Sequence, residues 1–156
     1  MMLGTAFRRG CWHALFCLLL LTAHASVQAD EPISEAKPFA DKYLLLQLSD
    51  DDPAKQNIVL SVAANLLEFY GPDLIDIEVT TFGPGVHLLY ADNSRREKID
   101  SLMAQGVRFS VCMNTIKSIE RSTGERPELH PQSIHVDVGV AHILEKVEQG
   151  YVLVRP

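Results

Sequence analysis

From Tyr43 to Val154 the chain switches repeatedly between two periodicities, and that alternation limits the fold more than any other feature. Apolar runs of strand length stand at Tyr43–Leu48, Ile75–Phe82, Val107–Cys112, Ile134–Val138 and Tyr151–Val154. Between them lie stretches with helical spacing. The first is opened by Asp52 as cap and Pro53 at its first position, and Gly71-Pro72 closes it after Tyr70. Its stripe reads Ile58, Val62, Leu66 and Phe69, widened by Val59, Ala63 and Leu67. A second helix starts at the capping box Ser94-Arg95-Arg96-Glu97, turns Ile99, Leu102 and Met103 inward, and stops at Gly106. A third follows Cys112, capped by Asn114 or Thr115 and carrying Ile116 and Ile119. The last covers Val140–Gln149, with Val140, Ile143, Leu144 and Val147 on one face. Strand–helix alternation of this kind predicts one three-layer α/β domain with a mainly parallel sheet of about five strands. In the second strand Ile75, Ile77 and Val79 alternate with Asp76, Glu78 and Thr80, which predicts one less buried face.

A parallel sheet carries its strand ends to one edge, and ligands of open α/β sheets bind there. Three segments gather at that edge: Ser49-Asp50-Asp51-Asp52, Gly83-Pro84-Gly85 and Cys112-Met113-Asn114-Thr115. Cys112 stands where a strand's carboxyl end meets a helix's amino end, whose free N–H groups and partial positive charge favour a thiolate. His87 follows the Gly-Pro-Gly-Val turn, and an imidazolium near Cys112 would lower the thiol pKa further. The competing reading is a cysteine that fills space at a strand end.

The other constellations exclude more than they assign. The acidic triplet lacks the alternation of a calcium loop and suits helix capping. Gly83-Pro84-Gly85 lacks the lysine and hydroxyl of a phosphate loop. Three carboxylates after the first strand would repel a flavin phosphate. His87, His130, His135 and His142 fall at no metal-ligand spacing, and His142 reads as a surface residue. No metal and no cofactor is therefore expected. A Cys–His protease is disfavoured, because nothing marks an oxyanion hole or a third group to orient the histidine.

Residues 1–29 read as a signal peptide: Arg8 and Arg9, the apolar run Cys11–Ala23, and Val27-Gln28-Ala29 before the cleavage point. Residues 30–41 read as a polar linker with Pro32 and Pro38, and 42–156 as the domain. The expected location is periplasmic, with no stable membrane insertion after cleavage. The formal charge is −6, and cleavage would remove two arginines and no acid. Such an acidic domain with no Lys/Arg cluster is a poor partner for nucleic acid. Cys11 and Cys17 leave with the signal, so Cys112 has no intrachain disulfide partner. An odd cysteine in an exported protein points to a reactive thiol or to a bond between chains.

Four segments carry a family resemblance: Leu46-Gln47-Leu48-Ser49-Asp50-Asp51-Asp52-Pro53, Thr81-Phe82-Gly83-Pro84-Gly85-Val86, Gly106-Val107-Arg108-Phe109-Ser110-Val111-Cys112-Met113-Asn114-Thr115 and Gly150-Tyr151-Val152-Leu153-Val154-Arg155-Pro156. Over residues 42–156 the chain resembles the DsrE/DsrF-like sulfur-relay proteins of the DsrE, TusD and YchN types, closest to an exported single-domain branch. The resemblance implies a flavodoxin-like three-layer domain assembled as a trimer or hexamer. It implies that Cys112 accepts sulfane sulfur as a persulfide from a donor protein or small sulfane-sulfur compound and passes it to an acceptor. Asn114 and Thr115 would shape the helix start, and Gly83, Gly85 and His87 the pocket wall. An export signal separates the chain from cytoplasmic relay members and their partners. Two alternatives stay open: an oligomeric interaction module with Cys112 as a packing residue, and a redox sensor that pairs two Cys112 thiols.

Overall fold

Each apolar run pairs with its predecessor in the chain until the last, which returns to the first. The structure, a computed structural model, describes residues 37–156. The signal peptide expected over residues 1–29, and the linker as far as residue 36, lie outside the described residues. The elements are β1 (Lys42–Leu48), α1 (Pro53–Tyr70), β2 (Ile75–Thr81), a 3-10 helix (Gly83–Leu89), α2 (Arg96–Ala104), β3 (Arg108–Cys112), α3 (Met113–Thr123), β4 (Ile134–Val136), α4 (Gly139–Glu148) and β5 (Val152–Val154). The sheet order is β4-β3-β2-β1-β5, and every pairing is parallel.

The layering follows from this order. From β1 to β4 the chain steps one strand at a time in one direction, so right-handed crossovers place α1, α2 and α3 on one face. The last connection jumps back across the sheet to the far side of β1, which puts α4 on the other face. The result is the three-layer α/β/α domain that the alternation predicts, flavodoxin-like as the resemblance implies.

The two faces differ in chemistry. Leu44, Leu46 and Leu48 of β1, Ile75, Ile77 and Val79 of β2, and Phe109 and Val111 of β3 join Val59, Leu60, Ala63, Leu67, Ile99, Leu102 and Ile116 in the main core. Because side chains alternate along a strand, the opposite face receives Leu45, Asp76, Glu78, Thr80, Arg108, Ser110 and Cys112. Among the described residues, the buried apolar cluster there is Leu45, Ile143 and Tyr151, with Tyr43 and Phe82 packed against it.

Several sequence expectations need correction. All seven residues of β2 are buried, Asp76 and Glu78 included. The acidic face that reads as half-exposed is covered by α4 and neutralised by residues distant in sequence. In α1 the buried positions are Gln56, Val59, Leu60, Ala63 and Leu67, while Ile58 and Phe69 are exposed. The helix is apolar over much of its circumference, so spacing alone places its inner face about one residue out of register. In α4 Ile143 is buried, but Val140, Leu144 and Val147 are exposed. The capping box at Ser94 does not form. Helix α2 starts at Arg96, and the Asn93 side chain accepts from the Arg95 N–H instead, at 2.9 Å. The apolar piece after Gly85 is 3-10 helix. The helix start expected at Asp52 does form: its carboxylate accepts from the Ala54 N–H at 2.7 Å, and Pro53 occupies the first turn.

The described end of the linker packs against the domain. Lys37 donates its backbone N–H to Asp76 at 3.3 Å and its ammonium to the carbonyls of Pro72 and Gln105. Among the described residues, no helix is long and apolar enough to cross a membrane.

Candidate functional site

The site is built on the junction of β3 with α3. Cys112 ends the strand and is itself the N-cap residue, so α3 begins at Met113 and neither Asn114 nor Thr115 caps it. With the cap position taken by the thiol-bearing residue, Sγ lies among amide donors that a capping hydroxyl would otherwise satisfy. The residue is 4% exposed.

Thr115 acts through its hydroxyl. Its oxygen accepts the Gly83 N–H at 3.1 Å, which leaves its own hydrogen for the Cys112 sulfur. Gly83 opens the 3-10 helix with φ +52°, in the left-handed region, and this turn aims its N–H at α3. Gly85 serves packing. A Cβ there would stand 2.3 Å from the Leu48 carbonyl oxygen, so only glycine lets the 3-10 helix lie against the end of β1. The Asn114 side chain is exposed, and its backbone N–H binds the Asp137 carbonyl at 3.0 Å, tying α3 to the β4–α4 connection.

A second helix reaches the same sulfur. Gly139, the first residue of α4, donates its N–H to Cys112 Sγ at 3.2 Å. This approach also depends on glycine: a Cβ would lie 3.1 Å from the Cβ atoms of both Cys112 and Phe82. The amino ends of α3 and α4 thus converge on one sulfur atom. The Asp137 carbonyl stands 4.0 Å away, at the outer limit for a thiol donor. Burial by itself pushes the Cys112 pKa up. Hydrogen bonds from the Thr115 hydroxyl and from the N–H groups of Gly139, Thr115 and Asn114 outweigh it and hold the thiol below its ordinary range.

His87 plays no part in this. Its ring faces the Asp51 carboxylate at 3.7 Å and packs against Tyr90 at 4.8 Å between ring centres. The thiolate is favoured by amides and a hydroxyl, not by an imidazolium.

Behind the sulfur, between α4 and the sheet, lies a buried ionic cluster. Glu78 is 1% exposed and meets His142 Nε2 at 2.5 Å, Arg108 Nε at 3.4 Å and Lys146 Nζ at 3.5 Å. Burial would raise its pKa, but these three partners bring it down to about 2. His142 is therefore an inward-facing residue, not the surface residue its helix position suggests. Asp76 pairs with Arg108 at 2.7 Å and accepts from the Tyr151 hydroxyl at 2.9 Å. Burial, with the Asp76 carboxylate, raises the Tyr151 pKa to about 12.

Cys112, Thr115 and Gly83, all named from the sequence, are brought together by the structure, whereas Gly139 and the cluster around Glu78 were not named. A glycine between a strand and a helix start was the available signal for Gly139. Among the described residues no group of His, Cys, Asp or Glu side chains is arranged to hold a metal ion. Cys112 is the free cysteine of the described residues.

No family model and no curated protein matches the chain. Among solved structures it is similar to MTH1491 of Methanobacterium thermoautotrophicum, a protein of unknown function. The TM-score is 0.66 at 28% sequence identity, covering 74% of this chain and 100% of that one. This likeness agrees with the flavodoxin-like fold.

Proposed function

We propose that the protein is a DsrE-like sulfur carrier that accepts sulfane sulfur as a persulfide on Cys112. The observation that carries this reading is the convergence of donors on one thiol: the Thr115 hydroxyl and backbone N–H groups from two helices. Such a shell favours an anionic sulfur, either thiolate or persulfide. The transfer needs no further group. The Cys112 thiolate attacks the outer sulfur of a donor R–S–SH, a new S–S bond forms, the donor's own S–S bond breaks, and RS⁻ leaves with the electron pair. Cys112 is left as Cys–S–SH after proton exchange. The absence of a second cysteine among the described residues suits a carrier, because a nearby thiol would expel the sulfur by forming a disulfide. The partners are a sulfane-sulfur donor and acceptor in the periplasm, and the carrier is a trimer or hexamer.

The test is intact mass after exposure to a polysulfide, with Cys112→Ser beside the wild type. Uptake of one or more sulfur atoms by wild type alone, reversed by reductant, is the expected result. Uptake by folded Cys112→Ser would refute the assignment. The low exposure of Cys112 favours a second reading, a packing cysteine in an interaction module. That reading requires a thiol that stays unmodified by donors and alkylating agents until the protein is denatured.

A further inference from the structure

Helix α4 has its chemistry reversed relative to an ordinary surface helix. Its sheet-facing positions are Gly139, His142, Ile143 and Lys146, while Val140, Leu144 and Val147 face outward. Ile143 is its one buried apolar side chain, packed with Leu45 and Tyr151. Its polar attachment is the Gly139 N–H on Sγ, the Lys146 ammonium over the Tyr151 ring and the ionic cluster, in which His142 and Lys146, one turn apart, both reach Glu78. Lifting α4 therefore exposes little apolar surface, whereas releasing α1 would open the main core. Elements that bury few apolar groups open most readily.

The amino end of this helix covers the sulfur. Gly139 lies 3.2 Å from Sγ through its N–H, and a Cβ on it would stand 3.1 Å from the Cβ atoms of Cys112 and Phe82. With Cys112 only 4% exposed, the Gly139 N–H at 3.2 Å and the Asp137 carbonyl at 4.0 Å close off the α4 side of Sγ. A cleft of about 300 Å³, lined by Val136, Asp137, Val138, Ala141, His142 and Glu145, opens beside that turn. His142 belongs both to the cleft and to the contact with Glu78.

We propose that α4 is a gate over Cys112, held shut by the Glu78–His142–Lys146 cluster, so that these three are positioning residues controlling access to the sulfur. The proposal rests on Cys112 being the reacting group, as the preceding section reads it, and the two are separable by experiment. A donor or acceptor reaches Sγ by displacing the first turn of α4, and the cluster sets how often that turn is away.

The experiment measures the rate of Cys112 alkylation by iodoacetamide in the full chain at fixed pH, alongside amide exchange over α4. In wild type, α4 amides should exchange faster than those of α1 and α3. His142→Asn and Lys146→Met should each speed alkylation about tenfold or more, the loss of one charged contact to the buried Glu78 carboxylate. Lys146→Arg should restore the slow rate. Leu102→Ala, which weakens the opposite core, should leave the rate near wild type. Equal rates in wild type, His142→Asn and Lys146→Met overturn the gate. Should both variants fail to fold, α4 amides as protected as those of α1 in wild type overturn it as well. Cluster-dependent alkylation without sulfur uptake overturns the carrier reading and leaves the gate standing.

Discussion

Gly85→Ala should destabilise the domain far more than loss of a glycine ordinarily does. The added methyl carbon would stand 2.3 Å from the Leu48 carbonyl oxygen, 2.7 Å from its carbon and 3.0 Å from the Ser49 nitrogen. All three are backbone atoms at the end of β1, a strand paired on both sides. No side chain can rotate away, so either the 3-10 helix or the strand end must move. Val86, Leu88 and Leu89 lie in the main core and resist that movement. Overpacking of this kind costs up to about 3 kcal/mol. For a domain of this size that lowers Tm by roughly 12 °C. Gly124 makes an internal control. It ends α3 with φ +79° and has open space around its Cα, so Gly124→Ala meets only the left-handed backbone penalty of about 1 kcal/mol. The assay is urea denaturation of both variants against wild type, followed by fluorescence or circular dichroism. Gly85→Ala within 1 kcal/mol of wild type, or no worse than Gly124→Ala, would show that the close approach does not constrain the fold.

Two further outcomes follow from the site. Thr115→Val removes the hydroxyl that bridges the Gly83 N–H to the sulfur, so the Cys112 thiol pKa should rise and alkylation at neutral pH should slow, at about 1 kcal/mol of stability; an unchanged pH profile of alkylation would refute the bridge. Glu78 has its carboxyl held at about 2, below the unfolded value of 4.5. The cluster therefore contributes stability above pH 4.5 that is lost as pH falls through about 2, worth up to about 3 kcal/mol. Acid titration of Glu78→Gln, which lacks this group, should show a correspondingly shallower loss.

How much could be read in advance depended on the range of the interactions. The strand–Cys–helix junction at Cys112 is a local feature, and the apolar alternation of Val107, Phe109 and Val111 against the helical spacing of Ile116 was enough to find it. The Asp52–Pro53 start of α1 was legible for the same reason. Asp76 and Glu78 were misread because an acid–apolar alternation is also the pattern of a half-exposed strand. Their partners lie far along the chain, at Arg108, His142, Lys146 and Tyr151, so nothing nearby marks them as buried. The Gly139 contact with Cys112 was hidden for a related reason: it arises from the single crossover that returns across the sheet. In α1, apolar residues surround most of the helix, and the choice between Phe69 and Leu60 as the inward residue needs the sheet beneath it. His87 looked close to Cys112 because both follow strand ends, but the 3-10 helix turns its ring toward Asp51.

The strand order has a kinetic consequence. β5 pairs with β1 through Leu44–Val152, Leu45–Leu153 and Leu46–Val154, contacts that span nearly the whole domain. Long-range parallel pairing of this kind slows folding, since a long loop must close before its contacts form. α4 belongs to that same final crossover, so the cover over Cys112 is set in place together with β5. A folding intermediate with β5 and α4 undocked would leave the sulfur without its α4 cover, so the late crossover adds a route of exposure besides opening of α4 in the folded domain.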